Sequence, residues 1–133
     1  MTPRPLRRIA SGGELSRVML ASKVVLGNAD GVDTLVFDEV DAGVGGSTAR
    51  ALAGVLADLA ATHQVIVVTH LAQVAVMADK HYVVSKEPGD VPQTHLDEVT
   101  GEARTAEIAR MLSGDQSEAS LVHAKQMLAE ARA

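Results

Sequence analysis

Two adjacent acidic residues at the end of an apolar run are the first feature of this sequence that could carry chemistry. Asp38 and Glu39 directly follow the apolar residues 35–37, which predict a short buried strand. Neighbouring side chains of a strand point in different directions, so one carboxylate could hold Mg²⁺ while the other orients or deprotonates a water molecule. Adjacent acids at a strand end are also often solvated loop residues, and the pair alone leaves both interpretations open.

A helix start with two glycines is the second candidate. Ser11 can cap the helix, and Glu14 lies in the first turn, where the helix dipole favours an acid. Gly12 and Gly13 would let a phosphate approach the backbone, whose free N–H groups bind anions. The same four residues also suit an ordinary capped helix, and both interpretations stay open.

A histidine after a second apolar run is the third candidate. His70 follows the run 64–68 and Thr69, so it is predicted at the end of another buried strand. A polar side chain there could contact a terminal phosphate or an attacking water, although a lone histidine is more often a structural hydrogen-bonding residue. The remaining histidines have no zinc-ligand spacing with an acid partner.

Alternating strands and helices must position these residues. Hydrophobic spacing predicts a first helix from residue 11 to a stop at 27–28 with Val18 and Met19 facing the core, and a later helix with Val55 inward. The other predicted elements are the strands 34–37, 64–68, 81–85 and 94–99 and the helices 48–61, 71–78, 102–112 and 117–133. This alternation favours an α/β fold with a mainly parallel sheet flanked by helices. Ligands of such sheets bind beyond the carboxyl ends of the strands, where the acid pair and His70 are predicted to lie.

Composition limits the classes of protein that this chain can represent. With one Phe, one Tyr and no Trp, aliphatic residues must build the core, and many small Ala side chains suit closely packed helices. The absence of Cys excludes disulfides and thiolate metal sites, and the net charge of -5 gives the chain as a whole no electrostatic footprint for nucleic acid. No apolar run approaches the roughly 20 residues of a membrane span and no secretory pattern occurs, so we expect a cytoplasmic protein with no membrane partner.

The order of the motifs is more specific than any one of them. A Ser-Gly-Gly-Glu helix start, a strand ending in Asp-Glu, the tripeptide Asp-Ala-Gly at 41–43 and a strand ending in His resemble the second half of an ABC-type P-loop ATPase head. The resemblance identifies them as signature motif, Walker B strand, D-loop and switch histidine. It implies ATP and Mg²⁺ as cofactors, with Asp38 holding Mg²⁺ through water and Glu39 and His70 in catalysis. The nucleotide contacts that it implies are Ser11, Gly12, Gly13, Glu14 and Asp41.

The finer resemblance is to the RecN family of bacterial DNA-repair ATPases. It is carried by ASGGELSR at 10–17, FDEVDAGVGG at 37–46 and THLAQVA at 69–75, and the stretch EIARMLSG at 107–114 also fits. The resemblance implies a part in repairing DNA double-strand breaks, with DNA as a partner of the complete protein. It also implies a relation to the SMC proteins, whose heads are split by a long coiled coil.

No phosphate-binding loop of the form G-x-x-x-x-G-K-[ST] occurs in the sequence. An ABC-type site needs that loop and its Lys, which RecN-like proteins carry in the N-terminal half of the head. We therefore expect this chain to be the C-terminal lobe of a split head, inactive alone. Residues 1–10 would form an N-terminal segment, 11–86 would run from the signature to the strand after the switch histidine, and 87–133 would hold the C-terminal strand and helices. The expected partners are the N-terminal half of the same head and a second head, with ATP sandwiched between the two heads.

Three alternatives stay open. A transporter nucleotide-binding domain usually carries Gln where this chain has Glu14, and it keeps its phosphate loop on the same chain. The head of another SMC-like protein would carry the same order of motifs. Only the finer resemblance to RecN, around Arg17, 44–46 and 71–75, distinguishes this chain from it. A non-catalytic, ATP-gated clamp would use the same acids to close the site without turnover, although the presence of both Asp38 and Glu39 favours hydrolysis.

Overall fold

The structure is a computed structural model that describes residues 17–22, 33–38, 40–114 and 116–132. The chain divides into two compact units, Met1–Val74 and Ala75–Ala133. The boundary between these units precedes the subdivision at residue 87 that the sequence suggested.

The first unit is built around two parallel strands. Strand β1 (Thr34–Asp38) pairs with β2 (Gln64–Val68), helix α1 (Gly46–Leu59) connects them, and the short helix α2 (Ala72–Ala75) follows β2. The register places Asp38 opposite Val68, so the carboxyl ends of both strands lie at the same edge. Both predicted strands are therefore confirmed. A parallel pair needs a crossover connection, which α1 supplies.

Helix α1 covers one face of this pair and closes the core of the first unit. Phe37 of β1 is 3% exposed, and the predicted inward residues Leu52, Leu56 and Leu59 are buried beside it. The prediction for Val55 is wrong, because this side chain is exposed. Helix α1 instead buries its small alanines, Ala49 and Ala53, which let the helix backbone approach the sheet closely.

The helical segment 17–22 presents a different face from the one its spacing predicted. Leu20 is 4% exposed and joins the core, whereas Val18 and Met19 are 47% and 57% exposed. Arg17, one helical turn before Leu20, is partly buried on the same side. The predicted apolar stripe is therefore wrong for these residues, whose inward side carries Leu20 and Arg17, the latter hydrogen-bonded to backbone carbonyls.

The second unit contains a β-hairpin and two helices. Strand β3 (His81–Glu87) pairs antiparallel with β4 (Gln93–Val99), and helices α3 (Gly101–Ser113) and α4 (Glu118–Arg132) follow. Among the described residues, β1–β2 and β3–β4 form separate two-stranded sheets, one parallel and one antiparallel, so the expected mainly parallel sheet is not confirmed. The short turn-rich link 88–92 explains the hairpin, because a loop of that length joins only antiparallel neighbours.

Buried isoleucine and alanine side chains lie where α3 packs against α4. Ile108, Ala109 and Ala124 are fully buried, which agrees with the expectation that alanines let helices approach one another. Gly114 ends α3 with a φ of 77°, a left-handed conformation that glycine adopts without strain, and its N–H donates to the Arg110 carbonyl. Within the described part of the chain, no helix is long and apolar enough to cross a membrane.

Candidate functional site

Two of the predicted site residues lie at the carboxyl edge of the parallel strands. Asp38 is the last residue of β1, and its side chain is exposed. His70, also exposed, follows two residues after Val68, the residue that pairs with Asp38. The tertiary structure thus brings a carboxylate and an imidazole from separate motifs to one edge, where ligands of α/β folds bind.

The exposed carboxylate of Asp38 suits the magnesium ion that the resemblance implies. Mg²⁺ keeps several of its waters and is usually bound by one or two carboxylates together with substrate phosphates. Among the described residues there is no group of three or more His, Asp or Glu side chains that could enclose a metal ion. One exposed carboxylate is a suitable protein ligand for an ion that keeps most of its waters.

The turn that contains the predicted D-loop, 41–43, holds the third described site residue, Asp41, in a buried position. Asp41 is 2% exposed, and its Oδ2 accepts a hydrogen bond from the Thr69 hydroxyl. Gly43 has a φ of 74°, so the turn depends on a residue without a side chain at that point. As a nucleotide contact Asp41 stays a prediction, and in this structure its carboxylate bonds to a neighbouring turn.

Arg17 ties the helical segment 17–22 to the same turn. One guanidinium nitrogen, Nη1, donates to the carbonyl oxygens of Val40 at 3.0 Å and Ala42 at 2.8 Å. These carbonyls flank Asp41 in the chain, so the bonds hold the backbone on both sides of the buried acid. A charged donor makes such bonds stronger than those between neutral groups.

Five predicted site residues lie outside the described part of the chain. They are Ser11, Gly12, Gly13, Glu14 and Glu39. Their roles, like the catalytic role of His70 and the magnesium role of Asp38, stay predictions.

Arg17 and Thr69 have structural roles at this site that sequence reasoning missed. Both belong to the family-like stretches 10–17 and 69–75, and the resemblance implies no separate role for either. Arg17 lies three residues before the buried Leu20, which places a charged group on the inward side of a helix. Thr69 lies two positions before Leu71, and its Oγ1 accepts a hydrogen bond from the Leu71 N–H at 3.0 Å. This i to i+2 spacing is typical of a threonine-stabilised turn and could have indicated it.

The β1–β2 pair also has an open apolar face. Side chains alternate along each strand, and the face away from α1 carries Val36, Ile66 and Val68, which are 62%, 45% and 54% exposed. The sequence predicted strands buried on both faces, and this part of the prediction is wrong for the chain by itself. Parallel strands are normally covered on both faces, so this open face is a surface that a further element can cover.

A second group of charged side chains lies in the second unit. The Arg104 guanidinium donates to the carbonyls of Ala75 at 3.2 Å and Ala78 at 2.7 Å, and burial lowers its pKa. Burial, together with the positive charge of Arg104, also lowers the pKa of His81, whose buried Nδ1 has no partner among the described residues. A hydrogen bond from Arg110 lowers the pKa of Glu107.

Comparison with solved structures identifies the fold of this chain. One chain, from a study described as "Structural biochemistry of ATP-driven dimerization and DNA stimulated activation of SMC ATPases", matches with a TM-score of 0.55 at 21% identity. The match covers 95% of this chain and 64% of that chain. At this identity the likeness shows the fold alone, which this chain shares with the matching chain. No protein-family model matches the sequence.

Curated relatives give the family. The chain is 54% identical over 127 residues to the DNA repair protein RecN of Treponema pallidum (strain Nichols), covering 94% of this chain and 22% of the relative. It is 57% identical over 126 residues to RecN of Deinococcus radiodurans, covering 94% and 22%, and 50% identical over 132 residues to RecN of Streptomyces coelicolor, covering 98% and 23%. The chain belongs to the RecN family and corresponds to the C-terminal part of its members. It spans less than a quarter of the length of these relatives.

Proposed function

We propose that this chain is part of an ATP-binding and ATP-hydrolysing head of a protein that repairs DNA double-strand breaks. The observation that carries the proposal is the shared edge of β1 and β2, where Asp38 and His70 lie beyond two parallel strands. The relatives are named DNA repair proteins, and the matching solved structure belongs to a study of ATPases, so both names support this assignment.

Each residue of the proposed site has a separate task. Mg²⁺, when bound, would neutralise charge on the phosphates, and Asp38 would hold it through water. Glu39 would orient or deprotonate the attacking water, and His70 would hydrogen-bond the terminal phosphate or that water. The residues 11–14 would contact nucleotide held by a second head, so that ATP joins the two heads.

The open face of β1–β2 supports a partner within the same head. Val36, Ile66 and Val68 present apolar surface on the side of the strands away from α1. The relatives are more than four times as long as the matched region, which leaves ample chain to cover this face. We propose that the N-terminal half of the head, carrying the phosphate loop, packs there and brings bound nucleotide to Asp38.

Paired variants of the two acids in the full-length protein test the proposed site. Asp38→Asn is expected to weaken Mg²⁺-dependent nucleotide binding, because the amide carries no charge for the hydrated ion. Glu39→Gln is expected to retain binding and to slow single-turnover cleavage by about 100- to 10,000-fold, the usual contribution of a general base. Asp58→Asn, at an exposed position on α1, is the control for the loss of one negative charge.

The outcomes separate hydrolysis from its alternatives. If Glu39→Gln cleaves ATP at the wild-type rate, Glu39 is not the base, and a head that closes on ATP without turnover explains the site better. If Asp38→Asn binds Mg²⁺–nucleotide as tightly as Asp58→Asn, the assignment of the β1 edge as the magnesium site is wrong.

A further inference from the structure

A buried hydrogen-bonded chain links the D-loop turn to the segment that carries His70. Asp41 is 2% exposed, and a carboxylate in such a position requires hydrogen-bond donors. The Thr69 hydroxyl supplies one of them by donating to Asp41 Oδ2. In this bond the Thr69 hydroxyl is the donor and the carboxylate oxygen is the acceptor.

The same hydroxyl has a second bond that fixes its position. The backbone N–H of Leu71 donates to Thr69 Oγ1 at 3.0 Å. His70 lies between these two residues, so both ends of its short segment are tied to one oxygen atom. Its backbone orientation therefore depends on Thr69 and, through Thr69, on Asp41.

The D-loop side of the link is held in turn by Arg17. Its Nη1 binds the carbonyls of Val40 and Ala42, on either side of Asp41. The contacts thus run from the helical segment 17–22 through the turn 40–43 to Thr69 and His70. All of these residues belong to the first compact unit.

We propose that Asp41 and Thr69 are positioning residues that set the orientation of His70, and that Arg17 anchors the turn from which they act. This inference rests on the proposed ATPase function, since it assigns the residues to a catalytic histidine. Asp41 then serves ATP cleavage through Thr69. A displacement of about 1 Å in a catalytic group can lower a rate roughly 100-fold, which makes such support worthwhile.

Substitutions at Thr69 test the link in the full-length protein. Thr69→Val keeps the shape but removes the hydroxyl, and we expect single-turnover ATP cleavage to fall about 10- to 100-fold while nucleotide affinity stays unchanged. Thr69→Ser restores the hydroxyl and should recover most of the rate. Thr94→Val, at an exposed position of β4, is the matched control.

A double-mutant cycle with His70→Ala shows whether Thr69 acts through the histidine. Adding Thr69→Val to His70→Ala should cause little further loss, because the residue being positioned is already gone. Independent, multiplying losses would overturn the inference, as would wild-type cleavage by Thr69→Val. A loss of nucleotide affinity in Asp41→Asn with normal cleavage by Thr69→Val would also overturn it, by showing that Asp41 contacts nucleotide directly.

The proposed function fails in a different way. If His70→Ala and Asp38→Asn both leave ATP cleavage intact, the site itself is misassigned. If these two variants lose activity while Thr69→Val does not, only the positioning role is wrong.

Discussion

Replacing Arg104 by methionine should lower the free energy of unfolding of the second unit. The guanidinium donates to the carbonyls of Ala75 and Ala78, and a third contact, to Val76, is long at 3.5 Å. These carbonyls lie in the chain between the end of α2 (Ala72–Ala75) and β3. The variant leaves them without the donor that holds this connection on α3.

The expected loss follows from the two shorter bonds. A hydrogen bond with a charged partner contributes about 1.5–3 kcal/mol, and the 3.5 Å contact adds little. In the variant, water can hydrogen-bond these carbonyls and replace part of the lost interaction. The variant also avoids the cost of burying the guanidinium charge, the same burial that lowers the pKa of Arg104. We therefore expect the free energy of unfolding to fall by about 2–4 kcal/mol, near the lower end of the summed contributions of the two shorter bonds.

Urea unfolding, followed by far-UV circular dichroism, measures this loss, and hydrogen exchange of the amides at 75–84 locates it. Arg104→Lys keeps the charge but lacks the planar fork, so it should recover only part of the stability. Arg50→Met, at an exposed position on α1, should change stability by no more than about 0.5 kcal/mol. If Arg104→Met is as stable as Arg50→Met, the carbonyl contacts do not hold this connection.

Three further predictions concern pairing, catalysis and pH. In the full-length protein, Ser11→Arg should leave ATP binding to each head intact but block ATP-driven pairing of the two heads, because a bulky cation obstructs the approach of phosphate to Gly12 and Gly13. Normal ATP-dependent pairing of the variant, measured by light scattering, would contradict this. The 133-residue chain alone should neither bind ATP tightly nor hydrolyse it, because it lacks the phosphate loop; robust phosphate release by the pure chain would contradict that. Folding lowers the pKa of His81 from 6.5, so on acidification the unfolded chain binds a proton before the folded chain does. The free energy of unfolding, measured with urea, should therefore fall as the pH drops through about 6.5. His81→Gln should flatten that pH dependence.

The sequence alone was sufficient for the strands that end at the candidate site. The apolar runs before Asp38 and His70 are short, β-branched-rich and bounded by polar residues, so local pattern determined β1 and β2 and their place in an α/β fold. The residues of the stretches 10–17, 37–46, 69–75 and 107–114 were sufficient for the family, which the curated relatives confirm. Both conclusions depend on information that lies within a few consecutive residues or in the order of such segments.

Tertiary structure alone decided which faces are covered and which polar groups meet. Spacing marks a helix face as apolar, but neighbours elsewhere in the chain determine whether Val18 or Leu20 is buried. The bond between Asp41 and Thr69 joins residues 28 positions apart, and a buried carboxylate and its donor leave no periodic pattern in the sequence. Burial and partner choice are properties of the folded chain, because they depend on distances that only packing sets.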